Sequence, residues 1–420
     1  MVMSYSKSRA SHTAYFVQDD GLVCEAGALP PRWYVSGDHT SADELWTVKP
    51  HASWQSPADT AVFERLARGW HPSDDRPLSR NHAHPRRVAM HDFTFSAPKS
   101  VSVAWALGDE DTAKLIALAH EAAVGKGLEA LTSAARSRLG AAGVKHVPAK
   151  VLGALFVHGA SRANDPQLHT HAVIMNVAQV PDGEAAALEA RGMLEQQGVA
   201  GCIYALELAD QLARAGFGII PTHDGHLFEI AEVPGHVREV FSTRQRQVRN
   251  ELEASRTRTK HVQNMSTPTR AQRQRAVLVS RSAKEVLPLG TLRKRWQAQA
   301  LGLSFAMPLV HRRNPSVPVK QDEGNEAELL RLLATHLVAK FRKRKSVSSA
   351  KLKVEACAAL MGLCGANRML ELLTKLEMQF QTERKPTATM KDAVRDAGNH
   401  GTNPINAGEG ERLHPRPSPC

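Results

Sequence analysis

The sequence predicts an α+β fold in which helices flank a central antiparallel β-sheet and a helical extension follows at the C-terminal end. The segments VLGALFVHG and LHTHAVIMNVAQV have the apolar composition of buried strands. The short loop between them, marked by Asp-Pro, predicts that they are antiparallel neighbours. Segments with helical spacing of apolar residues stand before and after this pair.

In chain order, the first 90 residues mix short apolar pieces with Pro, Gly and His, which predicts strands and loops. HDFTF then alternates as a strand does, and a helix follows, with Ser96 as a cap-like residue and Pro98 in its first turn. Apolar spacing from Asp111 to Leu139 predicts one long helix. After residue 185 we expect another helix and then a hairpin at GIIPTHDGHLFEI.

The chain is expected to divide into four parts. Residues 1–305 form the main domain, 306–325 a linker, 326–380 a helical extension and 381–420 a disordered tail. The extension is predicted from an amphipathic pattern that begins at Glu326 and ends at Phe341. The tail is rich in Gly, Pro, Asn and charge, a composition that cannot bury a core.

The composition indicates a protein without a membrane span or signal peptide. No apolar stretch approaches the roughly 18 residues that a spanning helix needs, and the segment MVMSYSKSRASH lacks an apolar core. We therefore expect a cytoplasmic location. The five cysteines have no zinc or disulfide spacing, so we expect them to be reduced, with Cys357 and Cys364 packed on one helix face.

Positive charge is concentrated in one segment. The chain has a net charge of +12, and the segment from His236 to Arg313 holds 17 Lys or Arg against four Asp or Glu. The remainder is nearly neutral. Such a distribution is typical of a surface that binds a polyanion, although a solvated helix face explains the composition equally well.

Three histidines suggest a metal site. His169 and His171 are two apart in a predicted strand and therefore point to the same face of the sheet. His158 lies on the neighbouring predicted strand, so three imidazole nitrogens can converge and leave open coordination positions. From the spacing alone, polar side chains on a surface strand are the commoner explanation.

Several blocks of sequence resemble conjugative relaxases of the TrwC/TraI type, the MobF family of the HUH endonuclease superfamily. They are AYF at residues 14–16, DFTFSAPKSVS at 92–102 and HGASRANDPQLHTHAVIMN at 158–176, with weaker similarity at FSTR from Phe241 and at LRKRWQAQALG near residue 300. The last hundred or so residues have no counterpart. The resemblance implies a palm-like sheet with the metal at its centre and DNA across the basic helices.

The resemblance also implies a role for each site residue. Tyr15 matches the nucleophile, and it needs activation because a free phenol has a pKa of about 10. Asp92 either accepts the phenolic proton or orients a metal-binding histidine, and its simplest alternative is an ion pair with Arg86 or Arg87. The remaining implied residues are the metal ligands His158, His169 and His171, and the phosphate-binding or DNA-binding residues Arg162 and Lys99.

The implied function is site-specific and strand-specific nicking of single-stranded DNA at a transfer origin, through a 5′-phosphotyrosyl intermediate, followed by rejoining. One divalent metal ion is expected, Mg²⁺ or Mn²⁺, with Zn²⁺ or Ni²⁺ as alternatives. Expected partners besides origin DNA are a type IV secretion coupling protein, accessory origin-binding proteins and a separate helicase. The protein would act in the bacterial cytoplasm, with translocation into the recipient together with the DNA as a further option.

Two departures from the family pattern matter. Leu22 and Val23 occupy the place of the second tyrosine pair that many members have. The helicase phosphate loop GxxxxGK[ST] does not occur in the sequence, and Gly125-Lys126-Gly127 lacks its spacing. The alternatives are a rolling-circle replication initiator with the same chemistry, a catalytically weakened DNA-binding remnant, and a hydrolytic metalloenzyme.

Overall fold

The computed structural model describes residues 3–13, 16, 31–37, 57–82, 84, 86–140, 144–258, 269–279, 287–308, 323–344 and 346–382. The strands of its main sheet are β1 (Met3–Ser8), β2 (Arg32–Val35), β3 (Met90–Ser96), β6 (Lys150–Ala160), β7 (Pro166–Gln179) and β8 (Ala185–Ala186). Their order is β1-β3-β7-β6-β2, with β8 beside β7, and every pair is antiparallel. The predicted antiparallel sheet is therefore confirmed.

Two smaller sheets stand beside it. The strands β4 (Arg136–Leu139), β5 (Lys145–Pro148) and β9 (Leu188–Glu189) form a three-stranded sheet. The strands β10 (Ile219–Pro221) and β11 (Phe228–Ile230) form the hairpin that the sequence predicted.

Helices cover both faces of the main sheet. On one face lie α2 (Lys99–Leu107), α3 (Glu110–Thr132) and α4 (Arg191–Arg214), packed on a large apolar core. On the other face lies α1 (Pro57–Arg68), which buries a smaller cluster that includes Phe16, Phe63 and Phe156. Alternation along β7 assigns each residue to one face, because Ala172 and Ile174 belong to the large core whereas Val173 and Met175 belong to the smaller cluster.

Three local predictions in the main domain were wrong. Helix α1 lies in the region predicted to contain strands and loops, and it forms because Phe63, Leu66 and Ala67 recur at helical spacing and are fully buried. The helix predicted to reach Leu139 ends at Thr132, because the alternating segment that follows pairs with β5 and β9 as strand β4. Ser96 is the last residue of β3, and Pro98 occupies the N-cap position of α2.

The described part of the basic segment folds as four helices, and two of them are attached to the β6–β7 turn. These helices are α5 (Gly235–Val240), α6 (Thr243–Arg258), α7 (Arg270–Val279) and α8 (Leu289–Gly302). The backbone N–H of Thr243 donates to Asp165 Oδ2 at 2.8 Å, which holds the start of α6. Trp296 of α8 donates from Nε1 to the carbonyl of Asn164 at 2.7 Å.

The C-terminal extension is helical and packs on α4. Its helices are α9 (Glu323–Phe341), α10 (Ser349–Ala359) and α11 (Ala366–Thr382), and their apolar residues share a cluster with Ile203 and Leu206 of α4. Cys357 and Cys364 are both buried in this cluster, but α10 ends between them, so the expectation of one shared helix face was wrong. Residues 309–322 of the predicted linker and 383–420 of the predicted tail lie outside the described residues.

Among the described helices, none is both long enough and apolar enough to cross a membrane.

We expect Leu333→Ala to lower the free energy of unfolding by about 2–5 kcal/mol, the usual cost of a cavity at a buried leucine. Leu333 lies on α9 with 0% of its surface exposed. The matched control is Leu301→Ala, because Leu301 is 74% exposed at the end of α8. Denaturant unfolding measures both, and equal losses would contradict the burial of Leu333 in the core of the extension.

Candidate metal centre

Three imidazole rings converge on the face of the sheet that carries α1. His158 of β6 stands directly opposite His169 of β7, and His171 follows two residues later on the same face. The ring centroids are 5.0 to 5.3 Å apart, and one nitrogen of each ring lies within 4.8 Å of the others. Within the described part of the chain, this is the one group of three side chains close enough to share a metal ion.

Two of the rings are oriented by hydrogen bonds from Nδ1. His169 Nδ1 lies 2.7 Å from the carbonyl oxygen of Gln167, and His171 Nδ1 lies 3.0 Å from both carboxylate oxygens of Asp92. A carbonyl and an ionised carboxylate only accept, so Nδ1 is the donor in each ring. The lone pair of each neutral ring is then on Nε2, so Nε2 is the nitrogen that can bind a metal ion.

Asp92 is buried behind the histidines, with 6% of its surface exposed. Its partner is His171, and Thr94 donates from Oγ1 to its Oδ1 at 3.3 Å. Arg87 instead donates to the carbonyl groups of Ala67 and Asn176, so the alternative pairing of Asp92 with Arg87 is not what the structure shows. A carboxylate that accepts a hydrogen bond from the N–H of a metal-binding imidazole makes that ring a more basic, and so a better, metal ligand.

The donor set therefore fits a divalent metal ion. Three neutral imidazoles, two of them held in one tautomer, form an open set that leaves coordination positions for other ligands. The site opens to solvent at His169, which is partly exposed, whereas His158 and His171 are buried.

The structure describes one residue of the expected tyrosine pair. Phe16 packs its ring against His171 with a centroid distance of 5.8 Å and against Phe156 at 5.6 Å. Tyr15, the expected nucleophile, and the positions Leu22 and Val23 lie outside the described residues.

The two expected phosphate ligands differ in their surroundings. Arg162 lies in the turn between β6 and β7 and is partly exposed. Lys99 donates from Nζ to the carbonyl of Pro166 at 2.7 Å, and burial lowers the pKa of its ammonium to about 8, against the raising effect of Asp165 and Glu229. Lys99 thus ties α2 to the start of β7, and contact with phosphate stays a prediction for both residues.

Sequence reasoning missed a line of hydrogen bonds behind the histidines. Thr170 points to the opposite face of β7, where its Oγ1 lies 2.8 Å from His120 Nε2, and His120 Nδ1 lies 2.8 Å from the Tyr204 hydroxyl. The available signal was the position of His120, which shares the buried stripe of α3 with Ala113, Ile116 and Val124. Burial lowers the pKa of His120 to about 3, so the ring is neutral at ordinary pH.

The fold and the site define a three-histidine metalloprotein built on an antiparallel sheet, and the comparisons identify its family. A family model described as TrwC relaxase matches residues 4–303. The chain therefore belongs to the TrwC relaxase family, and the resemblance inferred from the sequence is confirmed.

Individual relatives agree with this assignment. The multifunctional conjugation protein TraI of Escherichia coli is 31% identical over 264 residues, which is 59% of this chain and 14% of the relative. The chain thus spans about one seventh of the length of the curated relatives it matches. Two solved structures of TrwC match 73% of this chain over their whole length. One is a copper-bound complex with oriT DNA, with 27% sequence identity and a TM-score of 0.61. The other is a complex with a 27-mer DNA comprising the recognition hairpin and the cleavage site, with 27% sequence identity and a TM-score of 0.59.

The buried His120 predicts a loss of stability in acid. Its folded pKa of about 3 is below the value of 6.5 in the unfolded chain, so between these values the unfolded state binds more protons and stability falls as pH falls. We expect His120→Gln to make the slope of unfolding free energy against pH shallower by about 1.4 kcal/mol per pH unit in this window. Denaturant unfolding at pH 4 to 6 tests this, with exposed His236→Gln as control, and unchanged slopes in both variants would contradict the assignment.

Proposed function

We propose that this protein is a site-specific and strand-specific DNA relaxase that nicks single-stranded DNA at a transfer origin, rejoins it and so initiates conjugative transfer. The observation that supports this best is the three-histidine cluster with Asp92 behind it and Phe16 against it. It occurs in a chain of the TrwC relaxase family, members of which have been solved with oriT DNA and with bound metal.

In this proposal Tyr15 is the nucleophile. It precedes Phe16, whose ring contacts His171, and consecutive Cα atoms are only about 3.8 Å apart. The phenolic oxygen forms a bond to phosphorus while the bond between phosphorus and the 3′ oxygen breaks. The 3′ oxygen takes up the proton that the phenol loses and leaves as a hydroxyl. One phosphodiester replaces another, so the step reverses when the 3′ end returns and needs no ATP.

His158, His169 and His171 are proposed to hold the divalent metal ion. Such an ion supplies positive charge that polarises a non-bridging phosphate oxygen and stabilises the transition state. Mg²⁺ or Mn²⁺ suits phosphoryl chemistry, whereas three imidazoles bind Zn²⁺ or Ni²⁺ more tightly.

Asp92 is proposed to orient His171 rather than to accept the phenolic proton. Both of its carboxylate oxygens lie 3.0 Å from His171 Nδ1, so the carboxylate is engaged by a metal-ligand ring. An orienting carboxylate fixes the tautomer and raises the basicity of the ligand.

The basic helices are proposed to contact DNA. Helices α6 and α8 are attached to the turn that contains Arg162, through Asp165 and Asn164, and this turn directly follows the strand of His158. Phosphates bound along these helices would therefore be continuous with a phosphate at the histidines. Lys99 and Arg162 are proposed to contribute at that junction.

We further propose that residues 1–305 are the relaxase domain, that 306–325 link it to the helical extension at 326–380, and that 381–420 form a disordered tail. A type IV secretion coupling protein, accessory origin-binding proteins and a separate helicase are the proposed partners. The proposed location is the bacterial cytoplasm, with translocation into the recipient as an option.

Covalent capture tests the reaction and locates the nick site in the same experiment. Wild-type protein is incubated with Mn²⁺ and a randomised single-stranded DNA library, and adducts that survive denaturation are isolated and sequenced. We expect one enriched nick site joined through a 5′ phosphate, and we expect Tyr15→Phe to reduce the adduct at least about 10³-fold because the nucleophile is lost.

Three other outcomes would contradict this account. An adduct in Tyr15→Phe would exclude Tyr15 as nucleophile. Metal-dependent cleavage without a protein-bound 5′ end would indicate a hydrolytic metalloenzyme, and DNA binding without cleavage would indicate a catalytically weakened remnant.

We expect Asp92→Asn to weaken metal binding by about 10- to 100-fold, the usual effect of losing a carboxylate behind a ligating histidine. The nicking rate should recover at saturating metal if Asp92 orients His171, and it should stay low if Asp92 is the base. The control is Asp59→Asn, which loses a carboxylate that accepts from Trp33 Nε1 at 3.2 Å. Unchanged metal affinity in Asp92→Asn would contradict the orienting role.

A further inference from the structure

The regular pairing of β7 with its two neighbours changes at the first of its histidines. On one side of β7, the ladder with β3 ends at the pair Ser96 and His169. On the other side, the ladder with β6 shifts register immediately beyond the pair His158 and His169. Before His169, among the described residues, the backbone pairing of β7 keeps only a bond from Ala97 N–H to the Leu168 carbonyl and, after the shift, the pair Ala160 and Pro166. A further contact beside the ladders therefore helps to fix the direction of His169 and His171.

That contact comes from the opposite face of the strand. Thr170 stands between the two histidines in sequence and is 2% exposed, and its hydroxyl meets His120 of α3. His120 in turn meets the hydroxyl of Tyr204 on α4, which is fully buried. We propose that Thr170, His120 and Tyr204 are positioning residues that hold the two histidines of β7 in the geometry that binds the metal ion.

The chemistry of the line makes it directional. A neutral imidazole has one nitrogen that donates and one that accepts. If His120 accepts from Tyr204 it must donate to Thr170, and if it donates to Tyr204 it must accept from Thr170. Because all three groups are buried, removing one hydroxyl leaves a polar partner unsatisfied in the core, and the strand rotates or shifts to relieve it. A rotation of the backbone at Thr170 turns the side chains of His169 and His171 with it.

The same core contains a matched pair that lacks this connection. The hydroxyl of Tyr34 on β2 lies 3.0 Å from Thr132 Oγ1 on α3, and both residues are buried. This bond joins the same helix to the sheet with the same kinds of group. It reaches β2, which pairs with β6 only up to Leu155 and is not paired with β7. Tyr34→Phe therefore reports the cost of losing a buried tyrosine hydroxyl without disturbing the site.

The experiment measures metal affinity and stability in the full chain. Ni²⁺ is titrated calorimetrically into metal-free wild type, Thr170→Val, Thr170→Ser, Tyr204→Phe and Tyr34→Phe, and the relevant binding event is the one lost in a His169→Ala, His171→Ala double variant. Melting temperatures of the metal-free proteins are recorded alongside. We expect Thr170→Val and Tyr204→Phe to weaken Ni²⁺ binding by about tenfold. This is the lower end of the loss of metal affinity that follows when a residue supporting the metal ligands is removed.

Thr170→Ser keeps the hydroxyl and should bind Ni²⁺ like wild type. Tyr34→Phe should also bind Ni²⁺ like wild type, although we expect its melting temperature to fall as much as that of Tyr204→Phe. Wild-type affinity in Thr170→Val and Tyr204→Phe, or equal weakening in Tyr34→Phe, would overturn the positioning role. This inference rests on the proposed function, yet the two fail separately. A wild-type protein that forms no DNA adduct but keeps this order of affinities refutes only the function, and normal nicking with unaltered affinities refutes only the inference.

Discussion

The register of β6 against β7 is the constraint on which the rest of the site depends. It sets His158 opposite His169 and places both, with His171, on the face that also holds Phe16. Side chains alternate along a strand, so a slip of one residue in β7 would turn His169 and His171 toward the large core. Thr170 would then lie on the face that holds His158. The same register, continued through β3, sets Thr94 opposite His171 and puts Asp92 within hydrogen-bonding distance of that ring.

The sequence was sufficient where local pattern and tertiary structure agree. The apolar runs and the Asp-Pro turn predicted β6, β7 and their antiparallel pairing, and from these the convergence of His158 with the other two histidines follows by alternation. The spacing of the histidines alone could not decide whether they are polar side chains on a surface strand or ligands of one metal ion. It required the neighbouring blocks, and the structure adds the physical reason, which is that Gln167 and Asp92 fix the rings as ligands.

Other features depend on contacts that local pattern does not reveal. Helix α1 forms because its apolar stripe covers Phe156 and its neighbours, a partner surface distant in sequence. Whether Asp92 meets Arg87 or His171 depends on the pairing of β3 with β7, and the structure shows His171. His120 looks like a polar residue on the buried stripe of α3 until Thr170 and Tyr204 are brought against it from two other elements. The sequence likewise indicated a helical extension at the C-terminal end without indicating that it packs on α4.

The central claim is that the three histidines form one metal-binding site whose rings are oriented by Asp92 and Gln167. Anomalous diffraction from crystals grown with Mn²⁺ and collected above the manganese absorption edge tests this directly. The account predicts one strong peak within coordination distance of Nε2 of His169, Nε2 of His171 and one ring nitrogen of His158. A peak coordinated by Nδ1 of His171, or a metal bound elsewhere while these rings remain empty, would contradict it.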